Sequence, residues 1–199
     1  APSTLVDTDT GNFEVLDMSA LWAGPYCGGL LAEAGHRVTK IESPNRPDPT
    51  ARHTPGLDAR LNGRKKRRSM AFDQTEFLSM VDTARVIITS ARPHALARIG
   101  LEEKRIFARN PGLLWIAITA HGWRGDAAMR VGFGDDCAAA GGLLRWEEDR
   151  PHFIGDALAD PLTGIMAATL ALEALEGQKA GLIDIALART AATFARIVG

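Results

Sequence analysis

Two short, nearly continuous apolar runs constrain the fold most: RVIITS at residues 85–90 and LLWIAITA at residues 113–120. A strand wetted on one face alternates apolar and polar residues, and these runs do not. Each therefore reads as a strand covered on both faces, the pattern of a parallel sheet between helices. The surrounding chain supplies the helices. FEVLDM at 13–18, the helical pattern GPYCGGLLAEAG at 24–35 and RVTKIE at 37–42 form a strand, helix, strand unit. A Pro-, Arg- and Asp-rich loop is expected at 43–54, then the basic run RKKRR at 64–68, a strand in SMAFD at 69–73 and a helix from about residue 74. LEEKRIFARN at 101–110 has helical spacing and stops at Pro111. VGFGDDCAAAGGLL, a helix over 161–175, a last strand in LIDIALA and a terminal helix from about residue 189 complete the pattern. The prediction is α/β: a Rossmann-like, doubly wound, mostly parallel sheet with helices on both faces.

With 199 residues, 46% of them hydrophobic and 24% charged, the chain suits one globular domain over 1–199. A net charge of −1 gives no general reason to expect nucleic acid or an anionic membrane as partner. Cys27 and Cys137 are the only cysteines, and they fit neither a disulfide framework nor a metal site. His36, His53, His94, His121 and His152 share no metal-ligand spacing, so no metal is expected. No stretch approaches the roughly 20 apolar residues that span a bilayer, and APSTLVDTDTG has no signal-peptide character. The expectation is a cytoplasmic protein.

The first βα turn, LDMSALWAGPYCGG, lacks the G-x-G-x-x-G fingerprint, which disfavours a dinucleotide site; Gly28 and Gly29 read as residues of close helix packing. RKKRR places five cations together, suited either to phosphate groups or to a solvated loop. Arg92 follows the strand that ends at Ser90, where open α/β sheets bind ligands, and His121 follows the next strand. Ser19 and Cys27 have no recognisable base partner. GDALADPLTG at 155–164 holds two carboxylates, Asp156 and Asp160. Asp160 precedes Pro161, where an N-cap belongs, so it is either an ordinary cap or a carboxylate stabilised by the helix dipole for chemistry.

Five motifs in order add a resemblance. VLDMSALWAGPYCGGLLAEAGHRVTKIESP, KKRRSMAFD, RVIITSARPHALARIGL, NPGLLWIAITAHGWRG and GDALADPLTGIMAATLALEAL together resemble the family III CoA-transferases. That group includes formyl-CoA and carnitine CoA-transferases and the alpha-methylacyl-CoA racemases. The resemblance implies a protein that takes coenzyme A as its acyl-CoA substrate and passes CoA to a free carboxylic acid. Its nucleophile would be the aspartate of the G-D motif, here Asp160, working through aspartyl anhydride and aspartyl-CoA thioester intermediates. It places Leu21 and Trp22 beside the cofactor and Arg68, Arg98 and Arg130 on the CoA phosphates, with Ser90 at an asparagine position and Arg92 nearby. It leaves Asp156 without a role.

Departures from the family pattern shape the expectation. Gly132-Phe133-Gly134 replaces the racemases' catalytic histidine motif, which favours transfer over epimerisation. Trp22 stands where the formyl-CoA enzyme has glutamine, so formyl or oxalate specificity is not implied. Family members run to about twice this length. The chain resembles only the N-terminal part of their large domain, and the expectation is a single domain without their small domain. The implied assembly is a homodimer or a pair with a complementary subunit. A non-catalytic CoA-binding or dimerisation subunit of a split enzyme is the alternative, and a racemase-like acyl-CoA enzyme comes third.

Overall fold

The computed structural model of the protein describes residues 12–72 and 75–198. Its elements run β1 (Glu14–Asp17), α1 (Ala23–Glu33), β2 (Arg37–Glu42), α2 (Thr50–His53), α3 (Pro55–Asn62), β3 (Lys66–Ser69), α4 (Thr75–Thr83) and β4 (Val86–Thr89). They continue with α5 (Pro93–Arg98), α6 (Glu103–Arg109), β5 (Leu114–Thr119), a 3-10 turn (Gly125–Met129), α7 (Gly134–Ala140), β6 (Leu144–Glu147) and β7 (Arg150–Phe153). The long helix α8 (Ala159–Glu176), β8 (Gly181–Ala186) and α9 (Leu187–Val198) follow. The N-terminal segment 1–11 and the expected helix start at residue 74 lie outside the described residues.

Six strands form one sheet in the order β3-β2-β1-β4-β5-β8, each neighbouring pair parallel. This is the doubly wound, Rossmann-like α/β architecture expected from the apolar runs. Successive strand residues point to opposite faces. Val86 and Ile88 join the core shared with α1, α7, α8 and α9, whereas Ile87 joins the core shared with α4, α5 and α6. Leu114, Ile116 and Ile118 divide from Trp115 and Ala117 in the same way. Both sides of β4 and β5 are therefore dry, which is why their sequences do not alternate.

Local expectations need four corrections. The supposed loop at 43–54 is cut short by α2, and α3 follows it; α3 buries only Leu61 and Asn62, so it has no apolar stripe to read. The third strand is not SMAFD but Lys66–Ser69, built from the basic run itself. It is an edge strand with all four residues exposed, so nothing required apolar side chains there. A hairpin, β6 with β7, fills a stretch given no strands, turning at Glu148 and Asp149, both with positive φ. The last helix begins directly after β8, two residues ahead of the expected position.

Gly28 and Gly29 do serve close packing. A Cβ on Gly28 would stand 2.7 Å from the Asp17 carboxylate, and one on Gly29 would stand 2.7 Å from the Leu61 carbonyl oxygen. No described helix is long and apolar enough to cross a membrane.

Candidate functional site

The sheet order reverses direction between β1 and β4, and the loops leaving their carboxyl ends flank the crevice where such sheets bind ligands. Across it the Ala20 N–H donates to Ser90 Oγ at 2.9 Å, tying the β1 loop to the β4 loop. Leu21, Trp22, Ser90 and Arg92 thus gather at one end of the sheet. Arg92 Nη1 donates to the Met129 carbonyl at 3.3 Å, drawing the 3-10 turn and the adjoining Arg130 to the same end. Arg68 and Arg98 stand apart from this group. Arg68 lies on edge strand β3 with its guanidinium on Glu76 at 2.7 Å, and Arg98 is exposed in the last turn of α5.

Asp160 is not an N-cap. Ala157, with φ 46°, turns the chain, Leu158 occupies the cap position, and Asp160 lies in the first turn of α8. Its side chain reaches a different helix: Oδ1 accepts the Ala23 N–H at 3.3 Å. Trp22 provides no side-chain cap for α1, so a carboxylate 137 residues away serves that helix end.

Two glycines make this approach possible. A Cβ on Gly134, the first residue of α7, would fall on Asp160 Oδ2. A Cβ on Gly164, one turn beyond Asp160, would stand 2.8 Å from the Ala23 carbonyl oxygen and 3.0 Å from the Tyr26 side chain. The amino termini of α1, α7 and α8 therefore meet at one carboxylate, each contributing a positive dipole end.

Burial pushes the Asp160 carboxyl up to about 6; the Ala23 and Gly134 N–H groups oppose this, and the neighbouring Asp135 and Asp136 carboxylates add to it. Near neutral pH it is an ionised, half-buried and oriented carboxylate, the form able to act as a nucleophile. Asp135 Oδ1 accepts the Ala157 N–H at 2.9 Å and Asp136 Oδ1 accepts the Phe133 N–H at 2.6 Å, so both acids shape the loops around Asp160. Asp156 is exposed, and His121 is half-buried in the turn after β5. Cys137 is fully buried, with its thiol pushed up to about 12 by burial and by Asp136 and Asp160, so it is not poised as a nucleophile. A groove of about 550 Å³ beside the β4 and β5 loops is lined by Pro93, His94, Leu101, Glu103, Trp123 and Arg124; Asp160 is not part of its lining.

Behind the β1–α1 turn lie two buried ion pairs that sequence reasoning missed. Lys65 Nζ meets Asp17 Oδ2 at 2.7 Å and also donates to the Pro25 carbonyl and to Asn62 Oδ1. Lys40 Nζ meets Asp48 Oδ2 at 3.0 Å and donates to the Ser19 carbonyl. Burial alone would raise the Asp17 carboxyl, but the Lys65 and Lys40 charges outweigh it and hold Asp17 low. One signal was available: Asp17 and Lys40 are charges inside runs read as strands of a sheet with helices on both faces, where a buried charge needs a partner.

The sequence profile of CoA-transferase family III matches residues 11–197. A succinyl-CoA–D-citramalate CoA-transferase from Chloroflexus aurantiacus is 32% identical over 197 residues, covering 87% of this chain and 48% of its own. The alpha subunit of a succinyl-CoA–L-malate CoA-transferase from the same organism is 33% identical over 142 residues, covering 65% of this chain and 33% of its own. The crystal structure of a CAIB/BAIF family protein from Brucella suis superposes with a TM-score of 0.82 at 27% identity, covering 92% of this chain and 54% of that one. The chain spans at most about half the length of these relatives.

Proposed function

Since the chain belongs to CoA-transferase family III, we propose that it moves CoA between an acyl-CoA thioester and a free carboxylate with Asp160 as the nucleophile. The observation that carries this is the placement of the Asp160 carboxylate where three helix amino termini converge. An Asp160 oxygen attacks the thioester carbonyl, giving a mixed anhydride and releasing CoA as thiolate. The thiolate attacks the aspartyl carbonyl, releases the first carboxylate and leaves an aspartyl-CoA thioester. The acceptor carboxylate attacks that thioester, forming a new anhydride, and the thiolate then takes the new acyl group and frees Asp160. Each step exchanges one acyl bond for another, so no proton or electron is consumed.

The Ala23 and Gly134 N–H groups that orient the carboxylate are suited to donate to the oxygen that gains charge whenever the aspartyl carbonyl is attacked. Leu21, Trp22 and Ser90 would line the thioester end of CoA, and Arg92, Arg130, Arg98 and Arg68 would meet its phosphates. The resemblance assigns Arg68 and Arg98 to this role. It requires Arg68 to exchange Glu76 for a phosphate.

The chain corresponds, in this reading, to the N-terminal part of the family's large domain. The rest of the enzyme is a further stretch of chain or a complementary subunit, with a second copy completing a dimer. The relative named as an alpha subunit supports a divided enzyme. A CoA-binding module without turnover is the second reading, which keeps the CoA contacts but gives Asp160 no bond to the substrate.

Mixing the protein with succinyl-CoA and mapping adducts by mass spectrometry decides between them. The catalytic reading expects an adduct on Asp160 that Asp160→Asn abolishes without loss of CoA binding. CoA bound with no adduct sinks that reading for this chain alone.

A further inference from the structure

The turn that presents the Ala23 N–H contains a residue in an unfavourable backbone conformation. Leu21 has φ 70°, a region that disfavours any side chain with a Cβ and that glycine enters freely. Such a residue persists only when its surroundings over-determine it. Here they do. The Leu21 N–H is shared between the two Asp48 oxygens at 3.3 and 3.2 Å, and the Leu21 carbonyl accepts the Thr50 hydroxyl at 3.4 Å. Two residues earlier, the Ser19 carbonyl accepts Lys40 Nζ at 2.9 Å. Asp48 is itself fixed by the Thr50 N–H at 3.0 Å, the Thr50 hydroxyl at 2.7 Å and Lys40 at 3.0 Å. Its side chain is 2% exposed and that of Lys40 0%.

We propose that Asp48 is a positioning residue for the transfer: it holds Leu21 in the left-handed conformation and thereby aims the Ala23 N–H at Asp160. The consequence for rate rests on Asp160 being the nucleophile; the geometric statement does not. Burial would raise the Asp48 carboxyl, but the Thr50 bonds and the Lys40 charge outweigh it, so Asp48 stays ionised and carries no proton for the reaction. The path runs from Asp48 to Leu21, two residues along the backbone to Ala23, and across to Asp160.

The test follows the Ala23 and Gly134 amide protons by NMR through a titration from about pH 4 to 8. It uses the full 199-residue chain with Asp135 and Asp136 retained. In the parent, both amides report the ionisation of Asp160, and Asp160→Asn removes the response. In Asp48→Asn, which keeps one acceptor beside Lys40, the Ala23 response falls at least about twofold while the Gly134 response persists. Adding Leu21→Gly restores it in part, because glycine reaches the same φ without strain. Thr50→Val, which leaves the Lys40–Asp48 pair intact, gives the same selective loss in smaller measure and decides the matter if Asp48→Asn does not fold.

An unchanged Ala23 response in a folded Asp48→Asn protein overturns the proposal. So does equal loss at Ala23 and Gly134, which would make Asp48 a general structural residue. In parallel, adduct formation from succinyl-CoA should slow about tenfold in Asp48→Asn with CoA affinity kept within about twofold, since misplacing a reacting group reduces rate more than binding. Absence of adduct in the parent refutes the nucleophile alone, because the amide titration decides the positioning separately.

Discussion

On one side of Asp160 lies the β1–α1 turn, whose carbonyls and N–H groups are met by buried lysines and aspartates. On the other lies the stretch from Met129 to Ile154, where Met129, Val131, Phe133, Trp146, Phe153 and Ile154 are each more than half exposed. The first region pairs its charges inside the fold. The second carries apolar surface that the packing of this chain does not use. The carboxylate lies between them, held by the Ala23 N–H from the first and by the Gly134 N–H from the second. The contrast predicts that substitutions will be severe at the buried ion pairs of the first side and mild at the exposed apolar residues of the second.

The largest effect is expected at Lys65. Replacing it with alanine strands the fully buried Asp17 charge and should lower unfolding free energy by about 3–5 kcal/mol in urea denaturation. Removing both charges together, as Asp17→Leu with Lys65→Met, should recover most of that loss, and equal loss in the double variant would refute the account of the turn. Gly164→Ala comes next. Its Cβ presses on the α1 backbone, so about 1–3 kcal/mol should disappear, together with the Ala23 amide response to Asp160.

Asp160 itself should show a pH-dependent gain. Its carboxyl is raised to about 6 in the folded chain, so the folded state binds more protons than the unfolded one. The stability linked to that proton is complete below the ordinary carboxylate value and is lost as pH climbs through about 6. Asp160→Asn should therefore exceed the parent by about 1–2 kcal/mol above pH 7, a difference fading below about pH 4. A variant no more stable than the parent at pH 8 would contradict the strained state of the carboxylate. The smallest change belongs to the exposed side: Trp146→Ser or Phe133→Ser should shift unfolding by no more than about 0.5 kcal/mol in thermal melts.

What the sequence revealed follows the same division. β4 and β5 were legible because their residues face two dry cores, and the helix around Asp160 was legible from Pro161 and the apolar run that follows it. β3 was misplaced because an edge strand needs no apolar residues, and its basic letters concealed that Lys65, beside them, is buried. α3 went unread because it buries one turn only. The N-cap expected at Asp160 failed for a different reason. Local rules assign a carboxylate before a proline to its own helix, and they contain nothing about a partner 137 residues earlier.

That separation has a kinetic consequence. The Asp160 site joins residue 23 to residues 134 and 160, so loop closure over most of the chain must precede it. During synthesis the central strands can pair and the first turn can lock well before α8 exists, yet the Ala23 N–H cannot meet the Asp160 carboxylate until α1, α7 and α8 have docked. The junction of three helix ends at Asp160 is thus among the last features this chain assembles as it folds, and local loosening of α8 would undo it first.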